Sequence, residues 1–170
     1  MKESIATAAA VVLLRDGLQK WSVDRVAAEA GCAKGLVPYH HGSKQQLLSV
    51  VAANLHRDKT ARRLAALDAS GAEALDRLWD AINLEVRSGE WAAWAALMAE
   101  PNISLPPQVP SHLPTLAAAI GRALGIPALR PDEARLAEAS LDGFQAALHL
   151  GAPAESVHEA YHRLWLALLP

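Results

Sequence analysis

Two stretches carry side chains whose types and spacing could do chemistry. The first is KGLVPYHHGSK, from Lys34 to Lys44. Lys34, Tyr39, His40 and Lys44, with the bare backbone of Gly35, supply hydrogen-bond donors at close spacing, a composition suited to a phosphate-lined groove. The second is His158-Glu159-Ala160-Tyr161-His162, an H-E-x-x-H pattern. On a helix its histidines share one face and could hold zinc, with Glu159 as the base of a hydrolytic site. Two histidines are an incomplete ligand set, and no conventional third ligand follows. Ser4, Ser22 and Ser49 sit on ordinary helical patterns without a strained nucleophile turn, and there is no glycine-rich phosphate loop. The expectation is therefore no catalytic residue, no resident metal and no cofactor, with a zinc hydrolase built on His158 and His162 as the alternative.

The donor-rich run needs an element to present it. Upstream, Val23, Val26, Ala27 and Ala30 recur at helical steps of three and four, with Asp24, Arg25 and Glu29 opposite them. Ser22 is a natural N-cap, Asp24 suits the positive end of the helix dipole, and Gly31 can take the left-handed conformation that ends the helix. The chain then turns at Gly31-Cys32, restarts at Ala33 or Lys34 and stops near Gly42, so the second helix is about two turns long. A helix, a tight turn and a short helix rich in donors read as a helix-turn-helix, whose second helix enters the DNA major groove. A plain helical hairpin with a solvated face is the other reading of the same pattern.

The run VAAEAGCAKGLVPYHHGSKQQLL closely resembles the DNA-binding signature of the TetR family of transcriptional repressors, with Ile5, Ala8 and Ala9 placed as in that family's first helix. The resemblance covers roughly residues 4 to 50. It implies that Lys34, Gly35, Leu36, Tyr39, His40 and Lys44 stand at or beside DNA, Lys44 on phosphate and Lys34 on phosphate or a base edge. Three residues depart from the family pattern. Pro38 replaces an aromatic and lacks the N–H that would bond back to the carbonyl of Lys34. His41 replaces a phenylalanine that anchors the short helix, and Leu36 stands where a hydroxyl residue is common. These motivate a second reading, a ligand-binding or protein-interaction dimer with weakened DNA recognition.

Hydrophobic residues make up 52% of the chain and aromatics 5%, with Ala and Leu in excess, which favours helix over sheet. The net charge of −2 divides unevenly: residues 1 to 63 hold ten Lys or Arg against five Asp or Glu, a balance of +5, and the remainder holds six against thirteen, a balance of −7. A basic head on an acidic body is what phosphate neutralisation calls for. Ile5 to Leu14 is apolar but keeps helical spacing, and Arg15-Asp16-Gly17 follows it in place of a small-residue cleavage site, so it reads as a first helix and not as a leader. No stretch is long and uncharged enough to span a membrane. The single Cys32 fits a reducing cytoplasm and reads as a small turn residue.

The expected architecture is all-α, about nine helices, with a three-helix DNA-binding head over residues 1–45 and an effector-binding and dimerisation body over 46–170. Leu47, Leu48, Val51 and Leu55 mark a long helix from Ser43, whose second half, Arg57 to Arg63, is charged and expected to face solvent. Helices follow from about Ala72 to Ser88, through Trp91 to Met98, and from Leu113 to Leu124, with a loop from Pro101 to Pro114 containing Pro106, Pro107 and Pro110. Two helices starting at Pro131 and Pro153 close the chain.

The last of these ends LWLALL, apolar on every side, and must be covered. A symmetric dimer is expected to use Ala137, Ser140, Leu141, Phe144 and Leu148 on one helix and Tyr161, Leu164, Trp165 and Leu168 on the other, packed as a four-helix bundle. Trp79, Trp91, Trp94, Met98 and Phe144 could line an apolar effector cavity, with Asn83, His112, Gln145 or His149 as polar contacts; as core residues they would simply pack. The expected partners are a double-stranded operator, a small and largely apolar effector, and a second copy of the chain.

Overall fold

The computed structural model describes residues 1–106 and 111–168. Among them the chain forms nine α-helices and no strand: α1 (Lys2–Asp16), α2 (Val23–Glu29), α3 (Leu36–His41), α4 (Lys44–Ala66), α5 (Ala72–Arg87), α6 (Glu90–Met98), α7 (Leu113–Leu124), α8 (Pro131–His149) and α9 (Ala154–Leu168). A single 3-10 turn, Leu18–Lys20, follows α1. Of the expected proline-rich loop, Pro107 and Pro110 lie outside the described residues, as does Leu169. No helix among the described residues is long and apolar enough to cross a membrane.

The helices form two compact units, Met1–Asp58 with Ser88–Val109 and Lys59–Arg87 with Pro110–Pro170. The expected break after residue 45 does not coincide with this division, because the first half of α4 and all of α6 share the core of α1 to α3. In that first unit Ile5, Ala9, Val12, Val26, Val37, Leu47, Leu48, Val51 and Leu97 are essentially inaccessible. Each fully buried Leu, Ile or Val contributes about 1.5–3 kcal/mol relative to exposure. Trp21 joins them, donating its indole N–H to the carbonyl of Ala9 at 3.0 Å.

In the second unit Leu78 and Ile82 of α5, Leu116 and Ile120 of α7, Ala137 and Leu141 of α8 and Tyr161 and Trp165 of α9 form the core. Gly121 lets α7 approach the following loop closely: a Cβ there would stand 2.8 Å from the Ala128 Cα and 2.9 Å from the Pro127 carbonyl. Tyr161 ties α9 to α5 by donating its hydroxyl to the carbonyl of Leu75 at 2.7 Å. Burial raises the Tyr161 pKa well above that of a free phenol.

Two expectations need correction here. The second half of α4 is solvated only in part: Arg57 and Asp58 are exposed, but Lys59 and Arg63 are buried, 7% and 2% exposed. Their partners are carboxylates on α5 and α8, and this pairing is what makes the burial of charge tolerable. Of the residues assigned to a dimer surface, Ala137, Leu141, Tyr161 and Trp165 are buried inside their own protomer. Their packing is already satisfied by α5 and α7, so only Ser140, Phe144, Leu148, Leu164 and Leu168, all half-buried, retain accessible surface.

Candidate nucleic-acid interface

Local rules explain how the short helix is presented. Ser22 caps α2, its hydroxyl accepting from the Arg25 N–H at 3.3 Å. Gly31 takes the left-handed conformation at φ 62°, and the Cys32 N–H closes the turn on the Ala27 carbonyl at 3.0 Å. The helical residues then begin at Leu36, with Gly35 as N-cap, two or three residues later than the sequence pattern indicates. Pro38 explains part of the shift. The Lys34 carbonyl it cannot serve accepts instead from the Val37 N–H at 3.2 Å, so a 3-10 turn opens the helix and no backbone acceptor is wasted.

The other end of α3 is fixed as firmly. Gly42 stands at φ 71°, and a Cβ there would fall 2.1 Å from the Gln46 Oε1. That oxygen accepts from the Ser43 N–H at 2.8 Å while the Ser43 hydroxyl accepts from the Gln46 N–H at 3.1 Å, a reciprocal cap at the start of α4. His41 does the anchoring work of the missing phenylalanine. It is 8% exposed, and its Nε2 lies 3.0 Å from the carbonyl of Lys2, joining α3 to the first turn of α1.

These constraints leave one outward face. Tyr39 is 80% exposed, the largest accessible aromatic of the unit, and His40 packs edge-on against its ring at 5.1 Å. Lys34 and Gly35 are exposed before the helix and Lys44 after it, while Leu36 is half-buried and presents only part of its side chain. Lys34 is not idle: its ammonium pairs with Asp24 at 2.8 Å, both groups two-thirds exposed. A pair so open to water is weak and can exchange its carboxylate for a phosphate.

Trp21 is a neighbour of this face that the sequence pattern did not single out. The Lys44 ammonium lies 5.5 Å from its ring centroid, so a buried, hydrogen-bonded indole positions the cation at the head of α4. The only signal in the sequence was an isolated aromatic immediately before the capping Ser22. On the flank, Asp16 accepts from Arg15 at 3.1 Å and Arg25 at 2.8 Å, and these bonds lower its pKa.

The effector candidates are divided between the two units. Trp94 and Met98 pack on the first core, where Trp94 stacks on His56 at 5.4 Å, and Trp91 lies on the same helix. Trp79 and Phe144 belong to the second core and both meet Tyr161, at 5.2 and 6.0 Å. Asn83 donates to the carbonyl of Trp79 at 2.8 Å. His112 pairs with Glu138, and His149 is exposed. A cavity of about 320 Å³ in the second unit is lined by other residues, among them Leu113, Pro114, Leu129 and Arg135.

Gln145 has a different role, inside a buried polar cluster. Arg63 donates to Gln145 at 2.8 Å, to Glu85 at 3.1 Å and to Asp142 at 3.3 Å, and Lys59 reaches Asp142 at 3.4 Å. Burial lowers the Lys59 pKa, opposed in part by the charge of Asp142. Of the H-E-x-x-H residues, His158 stacks on Trp79 at 4.5 Å and its ring lies 4.3 Å from that of His162, while Glu159 pairs with Arg163 at 2.5 Å. Among the described residues no three His, Cys, Asp or Glu side chains converge to hold a metal.

Comparison with known proteins places this geometry. Residues 5–51 match the family of bacterial regulatory proteins described as the tetR family. Over the whole chain the fold is similar to that of a putative transcriptional regulator from Rhodococcus sp. RHA1, at 18% identity and a TM-score of 0.77, covering 100% of this chain and 96% of that one. It is similar to the multidrug binding protein EbrR, solved with imidazole, at 24% identity and a TM-score of 0.71 over 96% of this chain and 93% of the other. The TetR-like regulator LfrR from Mycobacterium smegmatis, solved with proflavine, aligns at 21% identity and a TM-score of 0.69 over 99% and 96%. No curated protein matches the chain in sequence.

Proposed function

We propose that this chain, which joins a tetR-family DNA-binding head to the full fold of a TetR-like transcriptional regulator, is a dimeric repressor of a palindromic operator. The observation that carries this reading is the face of α3: Tyr39 held 80% exposed and His40 beside it, flanked by Lys34 and Lys44, on a helix whose opposite side is locked into the core by Val37 and His41. Two such heads, each with α3 in the major groove, would sit about 34–36 Å apart, one helical turn of DNA. Lys44 contacts phosphate, and Lys34 exchanges Asp24 for phosphate or a base edge.

Dimerisation through α8 and α9 is supported by what remains accessible on them. Phe144, Leu148, Leu164 and Leu168, with Ser140, are half-buried, a largely apolar surface on two adjacent helices that a second copy would cover. The body takes a small, largely apolar effector, with Trp79, Asn83 and Phe144 as the aromatic and polar contacts that lie together. Imidazole in EbrR and proflavine in LfrR show that proteins of this fold hold such planar molecules. Effector binding favours a dimer whose heads are wrongly spaced, and DNA is released by population shift. The protein works where its operator is, in the cytoplasm.

The test is binding of the purified protein to DNA from upstream of its own coding region, against random DNA, across a salt series. Preferential binding that weakens steeply with salt and is diminished in Lys44→Ala is the expected result. Absence of binding even at low salt would favour the second reading, a ligand-binding or interaction dimer, to which the half-burial of Leu36 and the Asp24 pairing of Lys34 already lean.

A further inference from the structure

A cavity of about 450 Å³ opens within the first unit, bounded by the 3-10 turn, the start of α4 and the end of α6 with the turn after it. Its volume is in the range of small-molecule sites. Leu48 and Ile103 give it a buried apolar floor, and Ala96 a half-buried wall. Lys44, Glu100, Gln19, Gln45 and Asn102 supply the polar part of the lining, and all five are exposed. Lys44 and Glu100 bring opposite charges to the same cavity, yet neither makes an ion pair among the described residues. The Lys44 ammonium rests over Trp21 instead, held in place without being neutralised.

We propose that this cavity binds a small zwitterion with an apolar body, of the kind represented by a free aliphatic or aromatic amino acid. Its carboxylate meets the Lys44 ammonium, its ammonium meets the Glu100 carboxylate, and its hydrocarbon lies on Leu48 and Ile103, with the Gln19 amide as a further hydrogen-bonding group. Neither exposed charge alone gives much affinity, since water competes with each. A ligand that engages both while burying apolar surface gains charge-assisted hydrogen bonds at two points and excludes water between them. The regulatory consequence rests on the DNA-binding reading above: a bound carboxylate occupies the same Lys44 ammonium that would otherwise meet phosphate, so the ligand and DNA compete at the head itself.

The test begins without DNA. L-leucine and L-phenylalanine are titrated against the full chain, with tryptophan fluorescence and melting temperature as readouts, beside their amides, which lack the carboxylate, and their N-acetyl forms, which lack the ammonium. Saturable binding is expected, weakened about tenfold or more in each analogue, as loss of a charge-assisted contact predicts. Glu100→Gln should weaken binding by a similar factor, and Ala96→Trp, which fills the cavity, should abolish it at unchanged helicity. No saturable response to either amino acid, equal binding of the analogues, or undiminished binding by Glu100→Gln would overturn the site. DNA affinity is then measured with and without the amino acid. Loss of affinity in the wild type but not in Glu100→Gln supports the competition, and binding of the amino acid with no loss of DNA affinity overturns it. A chain that binds the amino acid and no DNA at all refutes the repressor reading while leaving the cavity assigned.

Discussion

Arg63 donates to the Gln145 amide oxygen at 2.8 Å, and the nitrogen of the same amide donates to Glu85 at 2.6 Å. One buried amide is thereby fixed between a cation and an anion, and only this orientation satisfies both. Its nitrogen also reaches the carbonyl of Ile82 at 3.2 Å, so the second half of α4, α5 and α8 are registered by a single side chain. Arg63→Met would leave the buried Glu85 carboxylate with only its longer pair to Arg62, at 3.5 Å. A loss of about 3–5 kcal/mol is expected, read from urea unfolding followed by tryptophan fluorescence. Replacing Arg63, Glu85 and Gln145 together by apolar residues should cost less than Arg63→Met alone, because the buried carboxylate goes with its guanidinium and only the partly exposed Arg62 loses a partner.

Trp21 offers a narrower test. Trp21→Phe keeps most of the ring in the core but removes the N–H that the Ala9 carbonyl accepts at 3.0 Å. The expected loss is about 1 kcal/mol, the net worth of a neutral hydrogen bond, measured by denaturant unfolding of the same sample. DNA affinity should fall as well, since the Lys44 ammonium loses part of the surface that holds it.

Much of this was legible in the sequence, for identifiable reasons. The helices were readable because apolar spacing, capping Ser22 and Ser43, stop residues Gly31 and Gly42, and the helix-opening Pro131 all act locally. The outward face of α3 was readable because its motif is short and contiguous. What escaped was non-local. Arg63 looks solvated within a run of charges on α4, and only the arrival of Glu85 and Asp142, from 22 and 79 residues away, makes its burial sensible. Tyr161 and Trp165 looked like an uncovered apolar face because the sequence does not say what covers it; both are buried in the second core, Tyr161 tied to α5 through the carbonyl of Leu75. The tryptophans read as one aromatic group because the sequence does not say which core each helix joins, although Trp94 and Trp79 serve different cores.

The pairing of His112 with Glu138 gives acid sensitivity a defined sign. Burial alone would raise the Glu138 pKa, but the hydrogen bond and charge of His112, helped by Lys59 and Arg63, outweigh it and hold the pKa below the ordinary 4.5. A carboxylate with a depressed folded pKa contributes stability that is complete above the unfolded value and is lost as pH falls through the folded one. Melting temperature should therefore drop on acidification from pH 5 downward. In Glu138→Gln that decline should be shallower from a lower starting point at neutral pH, whereas an unaltered slope would show that other carboxylates carry the acid limb.

Tyr39 separates recognition from folding. Its ring is 80% exposed and touches little beyond His40, so Tyr39→Ala should change unfolding free energy by no more than about 0.5 kcal/mol. If α3 enters the major groove, the same substitution should lower affinity for the operator about tenfold or more while leaving weak binding to random DNA nearly untouched, the mark of a contact that reads sequence. Lys44→Ala should do the reverse, weakening both DNAs by similar factors and reducing the slope of log affinity against log salt by about one. Parallel salt titrations of the two variants on both DNAs decide it. Equal losses on operator and random DNA for Tyr39→Ala would place its ring against the sugar-phosphate backbone, outside the groove.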